Sequence, residues 1–221
     1  MEIYEPSSKL IYSSSWMGYP ILDQHAPFYE AYLYRALAVI EHASRQYPKV
    51  FAIRFDLRLP KGFDESDTAV ISRFIASLDS QIREDFVRHA NQQAYLPSCK
   101  LRYLWGKERG DCNEGLHYHV AILLNHKRYS ALGRYVQGNS LDMAEFQRNM
   151  AYRICKAWMS ATYEVANPSL VHFCENGTYV LDRSSPQFLQ QKSELVYRLS
   201  YLAKVYSKET VLGRKFGASR R

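Results

Sequence analysis

Apolar and polar residues recur along this chain with two periods, one typical of strands and one typical of helices. Alternating apolar positions predict a half-buried strand over 51–59, and the continuous apolar run 120–124 predicts a buried strand. Apolar residues spaced three and four apart predict helices, the clearest of which begins at Ser66 or Asp67 and continues to Phe86. The predicted order is helix 27–47, strand 51–59, helix 66–86, strand 99–108, strand 117–125, helix 142–163, strands 169–175 and 178–181 around a turn, and helix 186–207.

This order predicts an α+β protein of the split βαβ (ferredoxin/RRM-like) type, in which helices pack on one face of an antiparallel sheet. The other face is left for a site, with the C-terminal helix lying on it. We divide the chain into an N-terminal arm and helix over 1–48 and a main domain over 49–221. Pro, Ser and Gly residues with little periodicity predict that roughly the first 25 residues form an extended arm or a surface wrap.

The composition is that of a globular protein with an excess of basic residues. Of the 221 residues, 47% are hydrophobic and 23% are charged, which argues against wholesale disorder, and the length favours a single core. A net charge of +7 favours anionic partners, either nucleic acid or an anionic membrane surface. No apolar run approaches the ~18 residues of a membrane span and no signal peptide opens the chain, so a cytoplasmic protein is expected. The cysteines have no paired spacing and are expected to be free thiols: Cys99, Cys112, Cys155 and Cys174.

Two histidines at the start of the buried strand are the best candidates for a metal site. His117 and His119 share one face of that strand, because side chains alternate, and Tyr118 points to the other face. Glu108 precedes His117 by nine residues, so a hairpin would return the chain to the same level. Two imidazole nitrogens and a carboxylate oxygen suit Mn²⁺ or Mg²⁺, and Zn²⁺ fits the same donors. Glu114 is the alternative carboxylate, and histidines that merely form hydrogen bonds beside a core are the simpler interpretation.

A second group of polar residues follows a helical period near the C-terminus. Four residues fall on one stripe of the predicted last helix: Tyr197, Tyr201, Lys204 and Lys208. A phenol with an ordinary pKa of about 10 is a weak nucleophile at neutral pH. A neighbouring cation and a metal-bound phosphate can stabilise its anion. The alternative interpretation is that aromatic residues at this spacing fill a core.

Together these motifs resemble those of the HUH endonucleases that initiate rolling-circle replication, in the two-tyrosine form found in small single-stranded-DNA phages. More narrowly, the chain from about Val50 to its C-terminus resembles the inovirus replication-protein family of the YagK/YfjJ type, met in filamentous phages and prophages. The segments that carry this resemblance are 55–58 (Phe-Asp-Leu-Arg), 117–125, 170–172 (Leu-Val-His), 200–204 (Ser-Tyr-Leu-Ala-Lys) and 214–220 (Arg-Lys-Phe-Gly-Ala-Ser-Arg).

The resemblance implies a metal-dependent endonuclease and ligase that nicks single-stranded DNA at a phage or prophage replication origin. His117 and His119 would bind the metal. Tyr201 or Tyr197 would attack the phosphodiester, leaving a 5′-phosphotyrosine and a free 3′-OH, and Lys204 would lie near the scissile phosphate or the metal. The third metal ligand varies in position among such enzymes, so it is the weakest match.

The implied partners are single-stranded origin DNA and the host's replication helicase and polymerase. The sequence has no Gly-rich phosphate loop of a helicase, so a separate protein would unwind the duplex. One alternative is a prophage protein that binds DNA as a regulator without cutting it. A weaker alternative is a metal hydrolase of another phosphoester, in which the tyrosines are structural.

Basic residues elsewhere are candidates for holding the DNA strand. Arg54 and Arg58 fall on one face of the strand 51–59, and further cations gather near the end of the chain. Phosphate contacts from such residues contribute affinity without sequence information. The predicted DNA-binding residues are Arg54, Arg58, Lys208, Arg214 and Lys215.

Overall fold

The computed structural model describes residues 9–90, 95–110, 115–133, 149–164, 167–209 and 211–220. The strands within these ranges are β1 (Leu10–Ile11), β2 (Ser15–Trp16), β3 (Tyr19–Pro20), β4 (Phe28–Tyr29), β5 (Lys49–Arg58), β6 (Arg102–Arg109), β7 (Leu116–Asn125), β8 (Val171–Asp182) and β9 (Phe216–Ala218). The α-helices are α1 (Glu30–Gln46), α2 (Val70–Ala90), α3 (Met150–Thr162) and α4 (Phe188–Ser200).

The main sheet has five antiparallel strands in the order β8-β5-β7-β6-β9. The order β8-β5-β7-β6 is the one that two interleaved βαβ units produce, and the predicted α+β class with an antiparallel sheet is confirmed. The short strand β9 at the edge was not predicted. The predicted helix 142–163 lies partly outside the described residues, and its described part is α3.

Helices cover both faces of this sheet. On one face α2 and α3 enclose a core in which Phe55, Phe74 and Trp158 meet edge to face. On the other face α1 and α4 pack against alternate residues of the same strands. The prediction of helices on one face was therefore incomplete, because α1 joins the C-terminal helix on the face that carries the site. Every residue of 120–124 is buried, as expected of a strand covered on both sides.

The N-terminal segment folds onto the α1–α4 layer. Its short strands form two antiparallel pairs, β1 with β4 and β2 with β3. Its apolar side chains enter the same core as α4, since Trp16, Ile21, Leu22 and Phe28 are all buried there. The segment therefore lies directly against the C-terminal part of the chain.

The last helix ends at Ser200, earlier than the predicted end at 207, because tertiary contacts override the helical pattern. The backbone N–H of Val205 donates to the carbonyl of Pro27 at 3.0 Å, and Lys204 pairs with Phe28 as an isolated β-bridge. The chain after the helix forms two 3₁₀ turns, Tyr201–Ala203 and Tyr206–Lys208. Consequently the residues after Ser200 leave the stripe on which the sequence placed them.

Strand β8 continues through the turn that was predicted at 175–177. Its register against β5 shifts between Ile53 and Phe55, which is typical of a β-bulge. A β-carbon on Gly177 would lie 2.7 Å from the carbonyl oxygen of Arg54 and 2.8 Å from that of Cys174. Only glycine fits there, so the bulge depends on this residue.

Two further sequence predictions can be compared with the structure. In the described ranges, no helix combines the length and apolar character needed to cross a bilayer. Cys99, Cys155 and Cys174 are free thiols, as predicted, and Cys112 lies outside the described residues.

Candidate functional site

Strand register brings the predicted metal ligands together at one end of the sheet. Glu108 on β6 lies opposite His117 on β7, as the hairpin argument predicted. His119 lies between Asp56 on β5 and Gly106 on β6. The site therefore draws on the three central strands.

Three potential ligand atoms converge at this position. Nε2 of His117 lies 3.3 Å from Nε2 of His119, which lies 3.1 Å from Oε2 of Glu108. All three ligand atoms lie within 4.8 Å of one another. Facing lone pairs repel unless a proton or a cation lies between them, and this donor set suits a divalent cation. Glu114, the alternative carboxylate, lies outside the described residues.

Asp56 orients His119, a role that the sequence analysis missed. Its carboxylate contacts Nδ1 of His119, an arrangement that leaves Nε2 free to ligate a metal. Arg54 lies against the same carboxylate, with Nη1 2.5 Å from Asp56 Oδ1. Burial opposes ionisation, but contacts with His119 and Arg54 hold the pKa of Asp56 well below its usual range. Asp56 is therefore a carboxylate at neutral pH.

The first histidine is prepared for ligation in a different way. Burial, reinforced by the neighbouring His119, lowers the pKa of His117. Its ring is therefore neutral at neutral pH, which is the form that binds metals.

Two buried lysines flank Glu108. Lys204 Nζ lies 2.8 Å from Oε2, and Lys208 Nζ contacts Oε1. Burial opposes the ionised form, but His119 and the two lysines hold the pKa of Glu108 well below its usual range. Burial lowers the pKa of Lys208 to about 8 despite the ion pair. Because a carboxylate has about four lone-pair positions, Glu108 can accept from both lysines and still face the histidines.

Tyr201 packs directly against the histidine cluster. Its ring centroid lies 4.9 Å from that of His119. Lys204 Nζ lies 3.6 Å from the Tyr201 centroid, and the guanidinium carbon of Arg54 lies 5.7 Å from it. Burial raises the pKa of Tyr201, and Lys204 offsets only part of that rise. The phenol is therefore protonated at neutral pH, between two cations.

Tyr197 does not reach this cluster. It is 38% exposed and lines a separate surface cleft with Pro20, Tyr179 and Arg198. The predicted pair of neighbouring phenols was therefore wrong in its geometry, because the helix ends between the two tyrosines.

Two aromatic residues that sequence reasoning missed lie beside Tyr201. The His25 ring from the N-terminal segment meets the Tyr201 ring edge to face at 4.8 Å. Tyr206 Oη lies 3.3 Å from His25 Nδ1 and 3.4 Å from Lys204 Nζ. No local pattern marks His25, because its contacts join parts of the chain far apart in sequence.

Gly106 allows the turn that carries Tyr201 to approach the sheet. A β-carbon at this position would lie 3.1 Å from the carbonyl oxygen of Leu202 and 3.4 Å from Lys208 Nζ. The apolar pattern of β6 gave no sign of this close approach.

The predicted DNA-binding residues divide into two groups. Arg54 and Lys208 are buried and ion-paired, so neither offers a free surface to a phosphate. Arg58 is exposed and lines a cleft with His117 and Tyr201. The remaining pair, Arg214 and Lys215, precedes strand β9 at the sheet edge, where the Arg214 guanidinium lies over the Trp105 ring at 5.5 Å.

The sequence matches known proteins along most of its length. The family model described as YagK/YfjJ C-terminal domain matches residues 12–219, which include every site residue above. The chain is 36% identical over 190 residues to Uncharacterized protein YagK of Escherichia coli (strain K12), covering 80% of this chain and 86% of that protein. It is 30% identical over 203 residues to Uncharacterized protein YfjJ of the same strain, covering 84% and 92% respectively. No solved structure matches significantly.

Proposed function

Since this chain belongs to the YagK/YfjJ C-terminal domain family, and the names of the two relatives state no activity, we propose a function from the geometry of the site. The chain is a metal-dependent endonuclease and ligase of single-stranded DNA, of the HUH type. It nicks the replication origin of a phage or prophage in the bacterial cytoplasm and so initiates rolling-circle replication. Host helicase and polymerase then extend the released 3′ end.

The observation that carries this proposal is the position of Tyr201. The centroid of its ring lies 4.9 Å from that of His119, which is one of the three potential metal ligands. The same centroid lies 3.6 Å from the ammonium of Lys204. A nucleophilic phenol needs charge stabilisation close to the oxygen that attacks. Tyr201 is therefore the nucleophile of choice, ahead of Tyr197.

The residues present fit a divalent cation. Glu108, His117 and His119 supply one carboxylate oxygen and two imidazole nitrogens, and Asp56 fixes the second imidazole. A bound Mn²⁺ or Mg²⁺ would supply Lewis acidity that polarises a non-bridging phosphate oxygen.

The reaction is a transesterification at phosphorus. The Tyr201 oxygen forms a bond to phosphorus as the bond from phosphorus to the 3′ oxygen breaks, and the phenol's proton is matched by the proton gained at the 3′-OH. The phosphodiester energy is kept in the 5′-phosphotyrosine, so a 3′-OH can reverse the step and ligate DNA without a nucleotide cofactor. Lys204 stabilises the phenolate that develops, since its ammonium lies against the Tyr201 ring.

One observation favours a second candidate function, a DNA-binding protein that does not cut. Both carboxylate oxygens of Glu108 already have lysine partners. The carboxylate is thus satisfied without a metal, as a purely structural ion pair would be. The two candidates differ in whether a covalent adduct with DNA forms.

A covalent-capture experiment separates the candidates. The chain is incubated with Mn²⁺ and a randomised single-stranded DNA library labelled at the 3′ end, because the tyrosine keeps the 5′ end of the downstream fragment. We expect a labelled adduct that survives denaturation in SDS and disappears with a chelator.

Variants then assign the nucleophile. Tyr201→Phe should abolish the adduct, and Tyr197→Phe is the matched control that should retain it. An adduct retained in Tyr201→Phe would contradict the assignment. DNA binding without any adduct would support the non-cutting candidate, and phosphoester hydrolysis that survives both substitutions would indicate a metal hydrolase.

A further inference from the structure

A second cleft adjoins Tyr201, and its lining contains none of the residues of loop 60–65. It has a volume of about 510 Å³, and its lining includes His25, His172, Glu175, Arg198 and Tyr201. The first cleft, of about 630 Å³, is lined by Arg58, Lys61, His117 and His119 among others. Tyr201 and Asp56 line both clefts. The two clefts therefore meet at the proposed nucleophile.

Arg198 is the notable cation of the second cleft. It lies one helical turn before Tyr201, and its side chain has no hydrogen bond or ion pair to any residue in the described ranges. Its Nε is a buried donor without a partner. An unpaired guanidinium beside a cleft favours an anionic ligand, since its five N–H donors match phosphate oxygens.

The first cleft has unpaired cations as well. The side chains of Arg58 and Lys61 are exposed and have no ion pair within the described part of the chain. The carboxylate of Glu65 in the same cleft is compensated by Arg109 at 2.5 Å. Each cleft beside Tyr201 therefore contains a cation without an ion pair in the described part of the chain, and each also has one exposed carboxylate, Glu65 in the first and Glu175 in the second.

A ligand with one phosphate would use only one of these clefts. A chain of regularly spaced phosphates that crosses Tyr201 would use both, and single-stranded DNA is such a chain. Phosphate contacts from arginine and lysine provide affinity and register without reading the bases.

We propose that the second cleft is a binding site for the sugar-phosphate backbone of single-stranded DNA. Arg198 binds a phosphate on one side of the bond that Tyr201 attacks, and Arg58 with Lys61 binds the strand on the other side. Arg198 is thus a positioning residue. The position of Arg198 relative to the cleaved bond rests on the proposed function. The binding of single-stranded DNA by this cleft does not depend on cleavage.

Equilibrium binding of a fluorescein-labelled oligothymidylate, followed by anisotropy in EDTA over a salt titration, tests the proposal without requiring cleavage. Arg198→Ala should weaken binding roughly tenfold, the loss expected for one charge-assisted hydrogen-bonded contact. The negative slope of log K against log[salt] should become less steep by about 0.7, the value for one phosphate contact with a single strand. Arg198→Lys keeps the charge and should retain most of the slope.

Arg183→Ala is the matched control, because Arg183 is exposed and follows β8 at the opposite end of the sheet. Wild-type affinity in Arg198→Ala, or an equal loss in Arg183→Ala, would overturn the proposal. Arg58→Ala should add its own loss to that of Arg198→Ala, because the two contacts lie on opposite sides of Tyr201.

The outcome is separable from that of the proposed function. If no adduct forms but Arg198→Ala still weakens binding with a reduced salt slope, the cleft stands as a DNA-binding site and the nicking proposal fails. If the adduct forms and Arg198→Ala binds like wild type, nicking stands and the second cleft is not used.

Discussion

At the scale of single residues, His119 links the parts of the site. Its Nε2 faces Glu108 and His117, its Nδ1 contacts Asp56, and its ring packs against Tyr201. A metal-ligating imidazole held by a carboxylate is both fixed in orientation and more basic. The chemistry proposed for Tyr201 therefore depends on Asp56. In the described contacts, Asp56 touches neither Lys204 nor the other two potential ligands, His117 and Glu108.

Asp56→Asn should lower the affinity for Mn²⁺ by roughly 10- to 100-fold, as loss of such a supporting carboxylate does. Isothermal titration calorimetry on the whole chain measures this directly. Asp182→Asn is the control that should leave Mn²⁺ affinity unchanged, because Asp182 is the last residue of β8 and pairs with Lys49 at the far end of β5. Unchanged affinity in Asp56→Asn would show that the carboxylate has no role in metal binding.

The sequence was most informative at this scale where strand alternation applies. Alternation put His117 and His119 on one face, and the hairpin spacing put Glu108 at their level, as the register shows. The prediction from sequence was wrong for Lys208, which was expected to contact DNA and is instead fully buried against Glu108. The helical stripe could not reveal this, because the helix ends before Lys208.

At the scale of elements, close approaches set the position of the Tyr201 turn. Gly106 on β6 lies beneath Leu202, so the sheet and the turn nearly touch. The apolar pattern predicts that β6 is a strand, but it does not predict which neighbour lies above it. Such contacts depend on elements that are distant in the sequence.

Gly106→Ala places a β-carbon 3.1 Å from the carbonyl oxygen of Leu202, so the turn must shift by a few tenths of an ångström. We expect adduct formation to slow by roughly tenfold, since small misplacements of reacting groups are costly. The free energy of unfolding should fall by only about 1–2 kcal/mol. A wild-type rate of adduct formation would show that the turn's distance from the sheet is unimportant.

A buried ion-pair group joins the helices of the opposite layer. Asp85 on α2 pairs with Arg153 on α3 at 2.5 Å, contacts Arg128, and accepts from Tyr129 Oη at 2.9 Å. Burial raises the pKa of Asp85, but Arg153, Tyr129 and Arg128 outweigh it, and the net shift is downward. The stability that Asp85 contributes is thus present above its unfolded-state pKa, about 3.9, and is lost as pH falls through the lower folded-state value.

Asp85→Asn should reduce the free energy of unfolding by about 3–5 kcal/mol at neutral pH, because it leaves the buried Arg153 and the partly buried Arg128 without a counter-charge. The loss should shrink as the pH falls, since the wild-type carboxylate is then protonated as well. Urea denaturation from neutral to acidic pH measures both curves. Asp79→Asn is the control, because Asp79 on α2 is partly exposed and its ion pair with Arg83 lies at the surface. An equal loss at every pH would contradict the assigned ionisation.

At the scale of the whole molecule, the N-terminal segment and the C-terminal turn form one unit. Pro27 accepts a hydrogen bond from Val205, Phe28 pairs with Lys204, and His25 packs on Tyr201. The sequence predicted the class of fold and the succession of helices and strands along the chain, because those follow from local periodicity. It could not predict that the first thirty or so residues complete the site, because no local pattern reports contacts over such a separation.

Phe28→Ala and Phe51→Ala compare the two layers. Both side chains are buried, so each substitution should lower the free energy of unfolding by about 3–5 kcal/mol. Only Phe28→Ala should also slow adduct formation, because Phe28 lies against the Tyr201–Lys204 turn and Phe51 lies in the opposite layer. Rates are measured under conditions where circular dichroism shows both variants folded. Equal slowing in the two variants would show that general stability, and not the N-terminal segment, governs the site.

The most direct measurement of the central claim is the identity of the residue that carries DNA. The Mn²⁺-dependent adduct is digested with nuclease and protease, and the peptide that retains nucleotide mass is sequenced by tandem mass spectrometry. We expect a phosphodiester-linked nucleotide on Tyr201. Attachment at Tyr197, at any residue outside the histidine cluster, or at no residue would contradict it.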